Sequence, residues 1–414
     1  MSTVAELRAQ YDAYKALNLK LAMTRGQPAD ENFDLSNDML TAVTTDDLVT
    51  PSGVSIRNYP GGIFGLPEAR ELFAPVLGVK PEEILVGNNA SLILMSSVFT
   101  WALLQGMKDS PRPWIQDAPK MIVTIPAYDR HFKLAAGLGF ELVTVDMTSE
   151  GPNMDQVEAL VKADDSIKGI FFVPVYSNPT GDSVSDETVR RLVSMETAAP
   201  DFTIFADNAY AVHHLTEEEV EPLNLLRAAE DAGNPDRVVL FGSTSKVTFA
   251  GAGLGFLATS VANLAHLGKL MGLASIGPNK VEQYRHVRFL QSYPGGIKGL
   301  MANHRAILAP KFQAVQDILT EHLDGTGLAT WTDPKGGYFI SLDTSRPVAA
   351  EVVALAKEVG VALTPAGATF PGGVDPNNSN IRLAPSRPPL QEVEKAMEIV
   401  ALCVKLASAE YDAK

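Results

Sequence analysis

Val238-Val239-Leu240-Phe241-Gly242-Ser243-Thr244-Ser245-Lys246 sets a short apolar run against a glycine, three hydroxylated residues and a lysine. Runs of this length, apolar and rich in β-branched or aromatic residues, read as buried strands. The same arrangement recurs upstream. Phe202 to Ala206 runs into Asp207-Asn208-Ala209-Tyr210, and Gly169 to Val173 precedes Ser177-Asn178-Pro179-Thr180-Gly181. Met121 to Ile125 ends at Pro126-Ala127-Tyr128, Ile84 to Gly87 meets Asn88-Asn89-Ala90-Ser91, and Leu142 to Val145 adds another run. Helical stretches, the longest from Ser91 to Gly106, separate most of these runs. Strands alternating with helices predict an α/β fold with a mainly parallel sheet covered on both faces. Ligands on such sheets collect at the carboxyl ends of the strands, where the polar stretches lie.

Outward from this region the pattern changes at both ends. Thr3 with Glu6 makes a capping-box pattern, and Leu7, Tyr11, Tyr14 and Leu17 recur at near-helical spacing. Residues 24–62 are rich in Pro, Gly, Asp and Thr and read as mostly irregular. Beyond residue 300 a helical stretch (Met301 to His322) precedes Gly337-Tyr338-Phe339-Ile340-Ser341-Leu342, a helix near Ala349 to Val359, and a last helix from Leu390. The expectation is a large domain over residues 50–300 and a smaller α/β domain made of 1–49 with 301–414. Tyr59-Pro60-Gly61-Gly62-Ile63-Phe64-Gly65-Leu66 is echoed by Tyr293-Pro294-Gly295-Gly296-Ile297-Lys298-Gly299-Leu300. That echo is either chance likeness of two glycine-rich turns or a pair of loops near one site.

The 414 residues carry a formal net charge of −15, which argues against nucleic acid or an anionic membrane as the main partner. An anionic ligand must then be held by a local positive site. Cys403 is the single cysteine, so an intrachain disulfide and a thiolate metal cluster are excluded; its apolar neighbours place it in a buried terminal helix. The N-terminus lacks a signal-peptide pattern, and no stretch approaches the roughly 18 apolar residues of a membrane span. A cytoplasmic location is expected.

The polar stretches supply an amine, an acid, two polar aligners and a guanidinium. Lys246 follows a buried run, and an amine among apolar neighbours has the lowered basicity that a Schiff-base lysine requires; lysines after hydroxylated residues are also common on surfaces. Asp207 ends an apolar strand, and a buried carboxylate needs a partner. A protonated pyridine nitrogen would serve, as would a helix cap or a salt bridge. Tyr210 lies three residues on, within reach of a ring's phenolic oxygen. Asn178-Pro179-Thr180-Gly181 is both a turn signal and an amide at the ligand edge. Asn88 to Ser91 offers a helix N-terminus as a phosphate seat, or an ordinary cap by Asn88 or Asn89. Ser243 and Ser245 can donate to a phosphate. Tyr128 suits stacking on a flat ring or burial in the core. Arg382, in Asn380-Ile381-Arg382-Leu383-Ala384-Pro385, has the fork for a carboxylate, though a surface salt bridge is the commoner fate. Together these groups fit pyridoxal phosphate with an amino acid.

In these residues the chain resembles the fold-type I, class I PLP-dependent aminotransferases over nearly its whole length, and is most similar to a bacterial aspartate aminotransferase subgroup. The resemblance implies that Lys246 bonds the cofactor aldehyde and shuttles the substrate's α-proton, that Asp207 pairs with the pyridine nitrogen, and that Asn178 and Tyr210 bind the ring O3′. It implies Tyr128 stacked on the ring, with Asn89, Ala90, Ser91, Ser243 and Ser245 around the phosphate and Arg382 on the substrate α-carboxylate. Gly26, in Arg25-Gly26-Gln27-Pro28, matches the substrate-side loop, and Tyr59 matches a tyrosine reaching the neighbouring subunit's phosphate, which implies a homodimer with shared active sites. One departure is plain. The family's phosphate-binding arginine falls at Gly253 or Leu254 here, leaving Lys280, Arg285 or Lys298 to supply charge.

The reaction so implied is ping-pong amino transfer between aspartate and 2-oxoglutarate. The alternatives are an aminotransferase for aromatic, alanine or broad substrates, or a lyase on the same scaffold. A second cation for a dicarboxylic side chain falls among Arg25, Arg130, Lys280 and Arg285.

Overall fold

A computed structural model describes residues 3–59 and 62–414; Pro60 and Gly61 of the echoed turn lie outside the described residues. Its main sheet has eight strands in the order Ile84–Val86, Gly255–Ala258, Val238–Ser243, Thr203–Asp207, Ile167–Phe172, Lys120–Ile125, Glu141–Thr148 and Gly151–Pro152. The five strands from Val238–Ser243 to Glu141–Thr148 pair in parallel. Gly255–Ala258 runs against both its neighbours. This strand was not foreseen, because Gly251-Ala252-Gly253 before it reads as loop.

Alternation along each strand splits the side chains between two cores. Ile170, Phe172, Ile204 and Leu240 pack on one face with Phe73 and Ile122. Phe171, Phe205 and Phe241 pack on the other with Phe99 and Trp114. Phe99 meets Phe171 and Phe205 edge-to-face, with ring centroids at 5.1 and 4.8 Å, the geometry in which a ring's positive edge faces a negative face. Both faces are dry, which is why these strands read as near-continuous apolar runs.

A third core joins the chain ends. The helix Val4–Lys15 starts from the expected capping box, in which Thr3 Oγ1 accepts from the Glu6 N–H at 3.2 Å and Glu6 accepts from the Thr3 N–H at 2.8 Å. It stops at Lys15, short of the Leu17 included in the sequence periodicity. Leu7 and Tyr11 pack with Val315, Ile340 and Val400, from the helix Gly296–Leu323, the strand Ile340–Thr344 and the helix Leu390–Asp412. Cys403 is buried in that last helix, as expected. Leu21–Met23 pairs in parallel with Val361–Leu363, so the N-terminal segment is stitched to the C-terminal one by backbone bonds.

Candidate active site

The polar stretches gather at the carboxyl ends of the parallel strands. Asp207 is the last residue of its strand and pairs in register with Phe241, two residues before Ser243. The residue is 4% exposed. Oδ2 accepts a hydrogen bond from His131 Nε2 at 2.9 Å, whereas Oδ1 is buried with no protein partner. His131 in turn stacks on Phe171, with ring centroids 3.7 Å apart.

Lys246 lies within electrostatic reach of this acid and beside two aromatic rings. Its Nζ lies 4.9 Å from the Tyr210 ring centroid and 5.9 Å from that of Tyr338. Burial lowers the basicity of the amine, and the nearby Asp207 charge partly opposes this. Burial also pushes the Tyr210 phenol well above its ordinary value, with Tyr128 and Asp207 adding to the effect. The Tyr128 phenol is pushed up to about 12, first by burial and then by Asp207. Both tyrosines therefore stay protonated donors across the physiological range.

The loop carrying Lys246 is held from behind. His286 Nδ1 donates to the Glu282 carbonyl at 2.9 Å, leaving Nε2 to accept from Thr248 Oγ1 at 2.9 Å and Thr244 Oγ1 at 3.2 Å. Thr244 Oγ1 also accepts from the Leu254 N–H at 2.8 Å. Gly253 runs close against Ser245: a Cβ there would sit 3.3 Å from the Ser245 Cα and N.

Arg382 is buried on the strand Asn380–Leu383. Its Nη1 donates to Asn178 Oδ1 at 3.3 Å and lies 3.8 Å from Asp129 Oδ1, while Nε has no partner. The guanidinium stands over the Phe339 ring at 4.8 Å. Gly26 backs that ring so closely that a Cβ would meet Phe339 at 2.2 Å. An orphaned buried guanidinium N–H beside an amide oxygen is a seat for an anionic group.

The helix Ser91–Gln105 begins at Ala90, whose N-cap position makes no side-chain hydrogen bond. Neither Asn88 nor Asn89 caps it. Asn88 Oδ1 accepts from the Asn279 N–H at 2.7 Å and Asn89 Nδ2 donates to the Ala250 carbonyl at 3.0 Å. The Ile93 N–H donates to the Ala90 carbonyl at 3.0 Å, and with no side-chain cap the first turn stays open to another acceptor. Gly255 lets its strand pass against this start, since a Cβ would lie 2.7 Å from Ser91 N. Ser243 and Ser245 lie on the adjoining loop, where Ser243 Oγ accepts weakly from the Ser245 N–H at 3.4 Å.

The cations left open by Gly253 divide. Arg285 pairs with Glu282 at 2.8 Å, and exposed Lys298 pairs with Glu219 at 3.1 Å. Lys280 begins the helix whose N-cap, Asn279, is bonded to Asn88, and its Nζ donates to the Asn58 carbonyl. Tyr59, next to Asn58, is 74% exposed at the rim.

The structure thus brings Lys246, Asp207, Tyr210, Tyr128, Asn178, Arg382 and Gly26 around one centre, with Asn89, Ala90, Ser91, Ser243 and Ser245 beside it. His131, Tyr338 and Phe339 join them and were not singled out from sequence. His131 had a signal: it stands three residues after Tyr128, the spacing that puts two side chains on one helical face.

The family model described as aspartate amino-transferase matches residues 1–414. This chain belongs to the aspartate aminotransferase family. It is 46% identical over 407 residues to an aspartate aminotransferase of Corynebacterium glutamicum, covering 98% of this chain and 94% of that protein. It is 48% identical over 403 residues to a putative aminotransferase of Mycolicibacterium smegmatis, covering 97% and 94%. A crystal structure of an aspartate transaminase from Corynebacterium glutamicum superposes with a TM-score of 0.95 at 45% identity, covering 99% of this chain and 96% of that one. The transaminase class and the fold-type I architecture expected from the motifs both stand.

The family's cofactor is pyridoxal phosphate, and the residues here fit it. Asp207 Oδ1 is a buried acceptor awaiting a cationic donor, the Ser91 helix start has no side-chain cap, and the Lys246 amine lies near both Asp207 and the segment bearing Ser243 and Ser245. Among the described residues there is no cluster of three or more metal-ligating side chains, and no helix long and apolar enough to cross a membrane.

Proposed function

We propose that this aminotransferase binds pyridoxal phosphate on Lys246 and exchanges amino groups between aspartate and 2-oxoglutarate in a ping-pong cycle. The observation that carries the reading is the bare, buried Oδ1 of Asp207, within the electrostatic reach of an amine whose basicity burial has lowered. When bound, the cofactor supplies an aldehyde for the amino group and a cationic ring that takes up electrons from the substrate Cα. Asp207 holds the ring nitrogen protonated, because a buried carboxylate favours a positive partner over a neutral one. His131 fixes that carboxylate by occupying its other oxygen.

Tyr210 and Asn178 orient the ring from its phenolic side, and Tyr128 covers a face. Asn89, Ala90, Ser91, Ser243 and Ser245 hold the phosphate, with Lys280, whose helix is tied through Asn279 to Asn88, the cation proposed to replace the arginine absent at Gly253. Arg382 binds the substrate α-carboxylate through the N–H groups it leaves unspent, while Gly26 and Phe339 fix the plane of its guanidinium. Lys246, once displaced by the substrate amine, is a neutral base beside Cα and moves the α-proton.

Aspartate as donor is supported by the likeness to the Corynebacterium protein. A cytoplasmic homodimer sharing its sites belongs to the same proposal, supported by the exposed Tyr59 at the rim. So does the division into a large domain (50–300) and a small one (1–49 with 301–414). Supplying aspartate with 2-oxoglutarate tests the reading: oxaloacetate and glutamate should form in equal amounts. Release of ammonia in place of glutamate would point to elimination instead.

A further inference from the structure

Beside Lys246 lies a second polar group that the transfer chemistry leaves unused. His213 is 3% exposed and neither of its ring nitrogens has a partner. Tyr338 is fully buried and its hydroxyl is equally bare. Their rings meet edge-on with centroids 5.3 Å apart, and Tyr338 stacks beside Tyr210 at 5.9 Å. Both rings of that stack face Lys246 Nζ. His304 closes the group: its Nδ1 accepts from Asn32 Nδ2 at 3.2 Å, which leaves the proton on Nε2 near the Val247 carbonyl, although no hydrogen bond forms there.

Buried polar atoms are nearly always hydrogen-bonded, to protein or to an ordered water with two to four partners. The bare Tyr338 hydroxyl and one bare nitrogen of His213, next to an amine, meet that description. We propose that His213 and Tyr338 jointly hold one water molecule beside Lys246, and that this water accepts a hydrogen bond from Nζ, making both side chains positioning residues for the amine.

Burial holds His213 neutral, so one ring nitrogen carries a lone pair, and it holds the Tyr338 phenol protonated. The water donates to the free His213 nitrogen, accepts from the Tyr338 hydroxyl and accepts from one Lys246 N–H. With an N–H committed to this water, the amine lone pair is turned toward the substrate side. The charged and titratable groups facing Nζ are Asp207, Tyr210, Tyr338 and His213, with His304 beside His213.

This inference rests on reading Lys246 as the catalytic amine. The experiment compares His213→Phe, His213→Gln and Tyr338→Phe, with Lys246→Ala as a control for that reading. In holoenzyme, His213→Phe and Tyr338→Phe should each lower kcat about tenfold with KM for aspartate within about twofold, the loss of one hydrogen bond to the amine. His213→Gln, which keeps a polar atom, should recover most of kcat. In cofactor-free protein, labelling of Lys246 by an amine-specific reagent, followed by peptide mass, should reach its midpoint at lower pH in the two Phe variants, because the charged amine loses the water that accepts its hydrogen bond.

Should His213→Phe fail to fold, Tyr338→Phe removes a single oxygen and carries the test alone. Unchanged kcat and an unchanged labelling midpoint in Tyr338→Phe would overturn the proposal, as would His213→Gln no better than His213→Phe. Either result with an inactive Lys246→Ala enzyme sinks the water alone; an active Lys246→Ala enzyme sinks the underlying reading.

Discussion

His131 Nε2 donates to Asp207 Oδ2 at 2.9 Å, and the other Asp207 oxygen is buried and unbonded. One oxygen is thus anchored and the other is left for a ligand. Removing one member of a buried ion pair costs about 3–5 kcal/mol, so Asp207→Asn is expected to lower kcat by about 10²–10³-fold. Steady-state kinetics with saturating pyridoxal phosphate checks this; a loss under tenfold would contradict it.

His131 acts only through Asp207. His131→Phe should reduce kcat about tenfold and leave KM for the amino acid nearly unchanged, whereas His131→Asn, which can still donate, should recover part of the loss. A large rise in KM with kcat intact would assign His131 to substrate binding instead.

Arg382 meets Asn178 through one arm and has Nε unspent. Lysine cannot present two parallel donors to a carboxylate. Arg382→Lys is expected to raise KM for both amino acid and 2-oxo acid by roughly 10–100-fold, equivalent to about 1.5–3 kcal/mol. Equal KM values in the two enzymes would remove Arg382 from the substrate site.

Gly26 bears on the same cation indirectly. A methyl group there would sit 2.2 Å from the Phe339 ring, so the ring must shift from beneath Arg382, a distortion typically worth about 1–3 kcal/mol. Gly26→Ala should raise KM by about tenfold and lower the melting temperature by a few degrees, the cost of displacing Phe339. A crystal structure with Phe339 unmoved would refute the mechanism.

Acid sensitivity follows from two buried histidines. Burial holds His286 and His304 down to about 4 in the folded protein, against 6.5 ordinarily. The unfolded chain therefore takes up these protons first as pH falls. Stability should be insensitive to these groups above about 6.5, fall between 6.5 and 4, and level off below, by up to on the order of 3 kcal/mol for each. Melting temperature measured across that window should drop, and His286→Gln should flatten the curve.

Much of this was legible because the chemistry follows directly after buried strands. Asp207 and Lys246 each close an apolar run, and period and punctuation alone place them on one sheet edge. What sequence left open depends on partners distant along the chain. Asn88 and Asn89 look like helix caps, yet bond Asn279 and Ala250 instead. Arg285 and Lys298 look available for a phosphate until Glu282 and Glu219 are seen beside them. Gly255–Ala258 was missed because its glycine, needed for close passage by Ser91, and the Gly251-Ala252-Gly253 before it carry no strand signal.

The central claim is that one lysine carries the cofactor. Treating holoenzyme with borohydride and mapping the reduced protein by peptide mass spectrometry tests it most directly. The account predicts a pyridoxyl adduct on the peptide containing Lys246 and on no other; an adduct at a different lysine, with position 246 unmodified, would contradict it.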